Sequence, residues 1–196
     1  MLLYPRLYLE SVKQITIQML EQNNIKGLIL DVDNTLIDFD KNMPEGIKEW
    51  AYNMKENGIK LCIVSNSNHK EKVENTAKKI EVPYIFFAKK PCIKGLNKAK
   101  KIMNLTNDAI AVVGDQIFTD VIGANRAKMF PILVKPINEK DIWITKFKRP
   151  IENKIIQRYL KKNKGEKNVH QWYTHINLCN IWNNRIYIRS IYRLVQ

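Results

Sequence analysis

Residues 28–40 read LILDVDNTLIDFD, and this stretch decides the fold. An apolar run of strand length ends at two acidic residues, Asp31 and Asp33, which is typical of a buried strand that delivers polar side chains where it stops. Two carboxylates this close repel each other, and each resists ionisation unless a positive charge lies between them. The stretch therefore predicts either an ordinary turn or a site that holds a cation, and the rest of the chain has to distinguish the two.

Around this stretch, short apolar runs alternate with segments of helical period. The runs that predict strands are residues 26–32, 59–66, 82–88, 108–115 and 130–135. The segments that predict helices are residues 43–58, 69–79, 92–104 and 118–128. Strands that alternate with helices of this length indicate an α/β fold with a largely parallel sheet.

Composition divides the chain into three parts. Residues 1–25 are predicted to be a helical lead-in, whose amphipathic pattern suits packing on the sheet better than on a membrane surface. Residues 26–160 form the predicted α/β domain, which ends in a helix with Ile151 and Tyr159 on one side. Residues 161–196 are a basic extension without a clear period, for which a strand pair, a partly ordered tail and an out-of-frame extension all stay open.

The overall composition is that of a globular protein, with 45% hydrophobic and 27% charged residues. The apolar runs are shorter than the ~20 residues that span a bilayer, and no signal peptide is expected. Cys62, Cys92 and Cys179 are odd in number and widely spaced, which predicts reduced thiols in the cytoplasm and neither disulfides nor structural zinc. The net charge of +14 favours phosphate-bearing partners, although lysine-rich solubility is an equal alternative.

Polar side chains follow four successive strands of the predicted sheet. In open parallel sheets, ligands bind in the crevice at the carboxyl ends of the strands, so these side chains are expected to meet. They are Asp31, Asp33 and Thr35 after the first strand, Ser65 and Asn66 after the second, Lys90 after the third, and Asp115 and Asp120 after the fourth.

This set of residues suits phosphoryl transfer. Asp31, Asp115 and the backbone carbonyl of Asp33 offer the hard oxygen ligands that Mg²⁺ prefers. The ion would let the carboxylates stay ionised and would neutralise phosphate charge. One carboxylate can attack phosphorus, while another protonates the leaving oxygen and then activates water. The Ser65 hydroxyl and the Asn66 amide can hold phosphoryl oxygens, and a lysine can steady the negative charge.

Each motif alone also fits a structural role, such as a turn, a helix cap or a solvated charge. A calcium loop is excluded at residues 31–42, because Leu36 stands where such a loop needs glycine and Asn42 where it needs glutamate. Four motifs in order at four strand ends favour the functional interpretation.

The quoted stretch resembles the first motif of haloacid dehalogenase (HAD)-type phosphatases. The other three motifs are resembled, in the expected order, by IVSNSN at 63–68, KKP at 89–91 and VVGDQIFTDVIGANR at 112–126. The residues of these stretches are most similar to those of the YqeG-type members of subfamily IIIA. The resemblance covers roughly residues 1–160. It implies a Rossmann-like HAD fold with helices on both faces of the sheet.

The resemblance also implies a role for each matching residue. Asp31 would be the nucleophile, Asp33 the general acid and base, and Lys90 the lysine of the third motif. Lys89 and Lys94 are its near rivals. The remaining assignments are Ser65, Asn66 and Thr35 for phosphate binding, and Asp31, Asp33, Asp115 and Asp120 for the magnesium site.

The spacing of the motifs bears on the substrate. The intervals between Asp31 and Ser65 and between Ser65 and Lys90 each have room for one helix, so no cap domain is expected and the site should be open. Some relatives in this subfamily are phosphatidylglycerophosphate phosphatases. This implies a phosphorylated substrate such as an anionic phospholipid, met by a cytoplasmic protein at the membrane surface.

A second hypothesis comes from a different class of protein. The basic extension carries Trp172, Tyr173, Trp182 and Tyr187, which could stack on bases, so the chain could be an RNA- or ribosome-associated adaptor that binds phosphate without hydrolysing it. Nucleic-acid binding is the less favoured hypothesis, because every catalytic position is intact and no RNA-binding motif is present.

Overall fold

The computed structural model describes residues 2–138 and 150–161. The chain divides into two units, Met1–Ile155 and Ile156–Gln196. Residues 150–155 of the first unit and 156–161 of the second are helical, as predicted for this part of the chain. The rest of the predicted basic extension, with its aromatic residues and Cys179, lies outside the described residues.

The regular elements of residues 2–138 follow the predicted alternation closely. The strands are β1 (Leu7–Leu9), β2 (Gly27–Leu30), β3 (Lys60–Val64), β4 (Tyr84–Ile85), β5 (Ile110–Gly114) and β6 (Phe130–Val134). The α-helices are α1 (Ile17–Gln22), α2 (Ile47–Glu56), α3 (Lys70–Ile80), α4 (Lys94–Met103) and α5 (Ile122–Arg126). A 3₁₀ turn forms at Val12–Gln14 and a π-helical turn at Ile117–Val121.

The six strands form one parallel sheet in the order β1-β6-β5-β2-β3-β4, which confirms the predicted α/β fold. Strand β2 lies between β3 and β5. Its last residue, Leu30, is opposite both Ile63 and Val113, so the three central strands end almost level with one another. The polar residues that follow them are therefore delivered to one place.

The two faces of the sheet carry separate apolar cores. Leu28 and Leu30 face the core under α2 and α3, whereas Ile29 faces the core under α4 and α5. Helices α2 and α3 thus cover one face of the sheet, and α4 and α5 cover the other face. The boundary between β2 and β5, from which the sheet continues to β3 on one side and to β6 on the other, is the topological switch point at which open α/β sheets bind ligands.

Helix α2 shows how the period of the sequence sets the packing. Ile47, Trp50, Ala51 and Met54 recur at helical spacing, and all four are buried. The Trp50 indole donates a hydrogen bond to the backbone carbonyl of Ile15 at 3.0 Å, which satisfies its buried N–H. Between β2 and β3 the chain forms only α2, and between β3 and β4 only α3. No cap domain is inserted, as predicted.

The predicted helical lead-in over residues 1–25 is corrected by the structure. Leu7–Leu9 is an edge strand parallel to β6, and only Ile17–Gln22 is α-helical. Three residues are too few for an alternating pattern to stand out. The lead-in packs on the sheet as expected, since Val12 and Leu20 belong to the core.

Two further elements differ from the sequence prediction. The third strand was expected at 82–88, but β4 stops after Ile85, and Phe87 has a φ of +50°, which lies outside the strand region. The helix expected at 118–128 begins instead as the π-helical turn and becomes α-helical at Ile122. Among the described residues, no helix is long and apolar enough to span a membrane.

Candidate active site

The carboxyl ends of the central strands bring three predicted site residues together. Asp31 directly follows β2, and its backbone N–H donates to the carbonyl of Val113 at 2.9 Å, which extends the ladder by one step. Ser65 follows β3 and Asp115 follows β5. All three side chains are buried, which for polar groups requires partners or a ligand.

Asp31, Asp115 and Asp120 form a compact acidic cluster. Each offers a carboxylate oxygen, and these oxygens all lie within 4.8 Å of one another. Asp120 stands on the π-helical turn, where its Oδ2 accepts hydrogen bonds from the Gln116 backbone N–H and the Thr119 hydroxyl, both at 3.2 Å. Such turns occur frequently at functional sites.

Gly114 makes the close approach of Asp120 possible. A Cβ atom at this position would overlap the carboxyl group of Asp120. Only glycine therefore lets the end of β5 lie directly against this side chain.

Lys90 joins the acidic cluster from the loop after β4. Its buried ammonium donates to Oδ1 of Asp31 and to Oδ1 of Asp120, each at 2.6 Å. The two rival lysines lie elsewhere: the Lys89 ammonium is 4.8 Å from the centre of the Phe87 ring, and Lys94 is exposed at the start of α4. The geometry therefore singles out Lys90 among the three.

Asn66 fixes the position of Lys90. Its side-chain N–H donates to the Lys90 carbonyl at 2.9 Å, and its Oδ1 accepts from the Lys90 backbone N–H at 2.6 Å. The Lys90–Pro91 peptide bond is cis. Both polar atoms of the Asn66 side chain are thus engaged with the backbone of Lys90, and its predicted contact with phosphate stays a prediction.

Burial and charge shift the titration of the cluster. Burial raises the pKa of Asp31 to about 7, assisted by Asp120 and Asp33 and opposed by Lys90. Burial alone would lower the pKa of Lys90, but the carboxylates of Asp120 and Asp31 hold it above its usual value. The Lys90 ammonium bonds two of the three buried carboxylates, and the close approach of all three carboxylates suits a further cation. The oxygen donors of the cluster match the preference of Mg²⁺.

Asp33 lies apart from this cluster although it is two residues from Asp31. Its Oδ1 accepts a hydrogen bond from the Lys72 ammonium of α3 at 2.6 Å, and 39% of its side chain is exposed. Of the predicted metal residues, Asp33 is thus the one whose carboxylate does not join the cluster. Its backbone carbonyl stays the predicted ligand.

The predicted phosphate-binding hydroxyls are both buried. Ser65 Oγ accepts from the Ser67 backbone N–H at 3.1 Å. Thr35 Oγ1 has no hydrogen-bond partner among the described residues, and a buried hydroxyl without one usually awaits a ligand or water. Their roles toward phosphate stay predictions.

Two residues at the site were not predicted from the sequence. Lys72 is one of several lysines on α3, and nothing in the sequence distinguishes it from the others. Glu152 is buried, whereas Ile151 is exposed, against the expected apolar pattern. Glu152 Oε1 accepts from the Phe118 backbone N–H at 3.2 Å, at the start of the π-helical turn that carries Asp120.

Comparison with known proteins gives one family and several relatives. A family model described as "Mitochondrial PGP phosphatase" matches residues 1–138. The chain is 38% identical over 159 residues to "Probable phosphatase YqeG" of Bacillus subtilis (strain 168), which covers 81% of this chain and 92% of that protein.

Solved structures that match part of the chain were also found. One is an uncharacterized protein from Listeria monocytogenes serotype 4b, with 18% identity, a TM-score of 0.49, and coverage of 60% of this chain and 85% of that one. Another is a "putative HAD superfamily (subfamily III A) hydrolase" from Legionella pneumophila, with 23% identity, a TM-score of 0.39, and coverage of 49% and 58%.

Proposed function

The chain belongs to the family described as mitochondrial PGP phosphatase and is an HAD-type phosphatase, and from this premise we propose that it is a Mg²⁺-dependent phosphomonoester hydrolase that works through an aspartyl-phosphate on Asp31. The proposed substrate is a lipid-borne phosphate such as phosphatidylglycerophosphate. One observation carries the proposal: the Lys90 ammonium bonds both Asp31 and Asp120 inside a cluster of three buried carboxylates.

In the proposed reaction, a carboxylate oxygen of Asp31 attacks phosphorus as the bond from phosphorus to the ester oxygen breaks. The carboxyl proton of Asp33 passes to that leaving oxygen. Asp33 then takes a proton from water, whose oxygen attacks phosphorus and releases inorganic phosphate and Asp31. Mg²⁺ held by Asp31, Asp115 and Asp120 would neutralise phosphate charge.

The surroundings of the two aspartates support this division of roles. Only 9% of the Asp31 side chain is exposed, and Lys90 fixes its position, as a nucleophile requires. Asp33 is half-exposed and borders an open cavity of about 640 Å³, where a leaving group can reach it. Lys90 also offers a charge that stays positive near the phosphate, because the neighbouring carboxylates raise its pKa.

Features of the same sheet edge support a lipid substrate. Within residues 2–138 and 150–161, no cap domain encloses the site. Phe39 and Phe87 are more than half exposed, and Phe39 lines the cavity next to Asp33. The Phe87 backbone N–H donates to the Ser67 carbonyl at 2.9 Å, which ties residue 87 to the loop after β3. Exposed aromatic rings with nearby lysines are typical of surfaces that enter a membrane interface.

Hydrolysis of p-nitrophenyl phosphate by wild type, Asp31→Asn and Asp40→Asn tests the activity. Asp40 is exposed and lies outside the cluster, so its variant is a charge-matched control. We expect turnover by wild type and Asp40→Asn in Mg²⁺, and none by Asp31→Asn or in EDTA. Turnover by Asp31→Asn, or full activity in EDTA, would refute the mechanism.

Vesicles that contain phosphatidylglycerophosphate test the substrate. We expect phosphate release from them to exceed release from soluble sugar phosphates at equal concentration. The opposite order would refute the lipid substrate and leave the phosphatase assignment intact. The predicted RNA-adaptor alternative depends on aromatic residues outside the described parts of the chain, and no observation on the described residues favours it.

A further inference from the structure

A second cavity of about 350 Å³ adjoins the one that Asp33 borders. It is lined by Lys41, Lys72, Asn75, Thr76 and Lys79, and we call it the lysine cavity. Lys41, Lys72 and Asn75 line both cavities, so the two adjoin each other. A molecule that enters beside Asp33 can therefore extend into the lysine cavity.

The lysine cavity is positively charged because three lysines line it and no acidic residue does. Lys72, Thr76 and Lys79 recur at helical spacing along one side of α3, and Lys41 faces them from the loop after β2. Other lysines of the region are neutralised: Lys72 by Asp33, and Lys78 by Glu74 at 2.9 Å.

Lys41 and Lys79 differ from these neighbours. Neither forms an ion pair within residues 2–138 and 150–161. Two lysines without an acidic partner at one cavity create a positive potential that favours a bound anion.

In the proposed reaction, the leaving group lies beside Asp33, in the cavity that adjoins the lysine cavity. A general acid must lie within hydrogen-bond reach of the oxygen that it protonates, so the leaving group occupies the side of the site where Asp33 lies. The cavity that Asp33 borders adjoins the lysine cavity, and none of the three clustered aspartates lines either cavity.

We propose that the lysine cavity binds a second phosphate carried by the leaving group, and that Lys41 and Lys79 are the residues that select such substrates. The inference rests on the proposed function, because it uses Asp33 as the general acid. It adds the residues that would recognise the phosphodiester on the alcohol of the substrate proposed above. A soluble headgroup and a lipid both offer this chemistry.

Two soluble substrates test the proposal without the membrane. Glycerol 3-phosphate carries one phosphate, and glycerophosphoglycerol phosphate, the headgroup without acyl chains, carries a phosphodiester as well. We expect kcat/KM of wild type to be at least about tenfold higher for the second substrate, which corresponds to about 1.4 kcal/mol. We expect Lys41→Gln and Lys79→Gln each to reduce this preference about threefold or more, chiefly through KM.

Lys101→Gln is the matched control. Lys101 is exposed on α4, which packs on the other face of the sheet, and the variant removes the same charge. It should keep both the activity and the preference. The proposal is overturned if wild type shows no preference, if Lys101→Gln loses the preference equally, or if both cavity variants keep it.

A third arm separates a lipid surface from the phosphodiester. If wild type hydrolyses phosphatidylglycerophosphate in vesicles but treats the two soluble substrates alike, the acyl surface is recognised and the proposal is overturned.

Calorimetric titration of Asp31→Asn with both soluble compounds makes the test independent of hydrolysis. Tighter binding of the second compound, weakened by adding Lys79→Gln, supports the proposal even if the proposed function fails. Equal binding of the two compounds overturns it.

Discussion

Asp31 and Asp33 follow the same strand two residues apart, yet their surroundings differ in almost every respect. Asp31 is buried with Asp115 and Asp120 and shares Lys90 with Asp120. Asp33 is half-exposed, pairs with Lys72 and borders a cavity. Two carboxylates with the same intrinsic chemistry acquire different roles from their environments. One is fixed in place, and the other can meet a substrate.

The largest effect is expected at the buried lysine. Lys90→Met leaves the buried carboxylates of Asp31 and Asp120 without their ammonium, and breaking a buried ion pair costs about 3–5 kcal/mol. We expect the free energy of unfolding, measured by urea titration in EDTA, to fall by about this amount and phosphatase activity to be lost. Lys101→Met should change neither quantity. Wild-type stability in Lys90→Met would show that the ion pairs do not hold the cluster together.

The next effect concerns the close approach at the end of β5. Gly114→Ala would push the Asp120 carboxyl group out of place, and misplacing a catalytic group by about 1 Å can cost about a hundredfold in rate. We expect a loss of kcat/KM of this order. Gly123→Ala is the control, because its Cβ would lie 3.4 Å from Leu96, close to ordinary contact distance. Retained activity in Gly114→Ala would contradict the proposed role of Asp120.

Metal binding should depend on pH through Asp31. Without metal, a folded-state pKa of about 7 means that the neutral carboxyl stabilises the fold, a contribution lost as pH rises from about 4 through about 7. Mg²⁺ needs the ionised form of Asp31, so protons compete with the metal below about pH 7. We expect Mg²⁺ to raise Tm by several degrees at about pH 8 and by less at about pH 5.5.

Asp31→Asn serves as the control for this titration. Its Tm shift with Mg²⁺ should be small and nearly the same at both pH values. An equal shift at both pH values in wild type would show that Asp31 does not hold the metal.

The smallest effect is expected at the half-exposed aspartate. Lys72→Met removes a pair that is partly exposed, since 39% of the Asp33 side chain and 16% of the Lys72 side chain reach solvent. We therefore expect its contribution to be closer to the ~1 kcal/mol of surface pairs than to that of a buried pair. We expect nearly normal urea stability and a loss of kcat/KM that is smaller than in Lys90→Met, with partial recovery in Lys72→Arg. If Lys72→Met were as damaging as Lys90→Met, the distinction between the two aspartates would fail.

How much of this molecule the sequence predicts depends on whether a contact joins residues that are near or distant in the chain. Ile47, Trp50 and Met54 could be assigned to the core because a helical period is written locally, and level parallel strands make the meeting of Asp31 and Asp115 predictable. The pairing of Asp33 with Lys72 could not be predicted, since nothing in the sequence distinguishes that lysine from its neighbours on α3. The engagement of Asn66 with the backbone of Lys90 depends on the path of a distant loop.

The edge strand β1 has a consequence for how the protein is made. Leu7 pairs with Ile132, so the first strand of the described residues docks on the last one. Such a contact between distant parts of the chain forms late and slowly. Until β6 has emerged, β1 has no partner, and β6 in turn exposes a free edge until β1 covers it. The sheet is therefore complete only after β6 (Phe130–Val134) has been synthesised, and until then its open edge is accessible to chaperones.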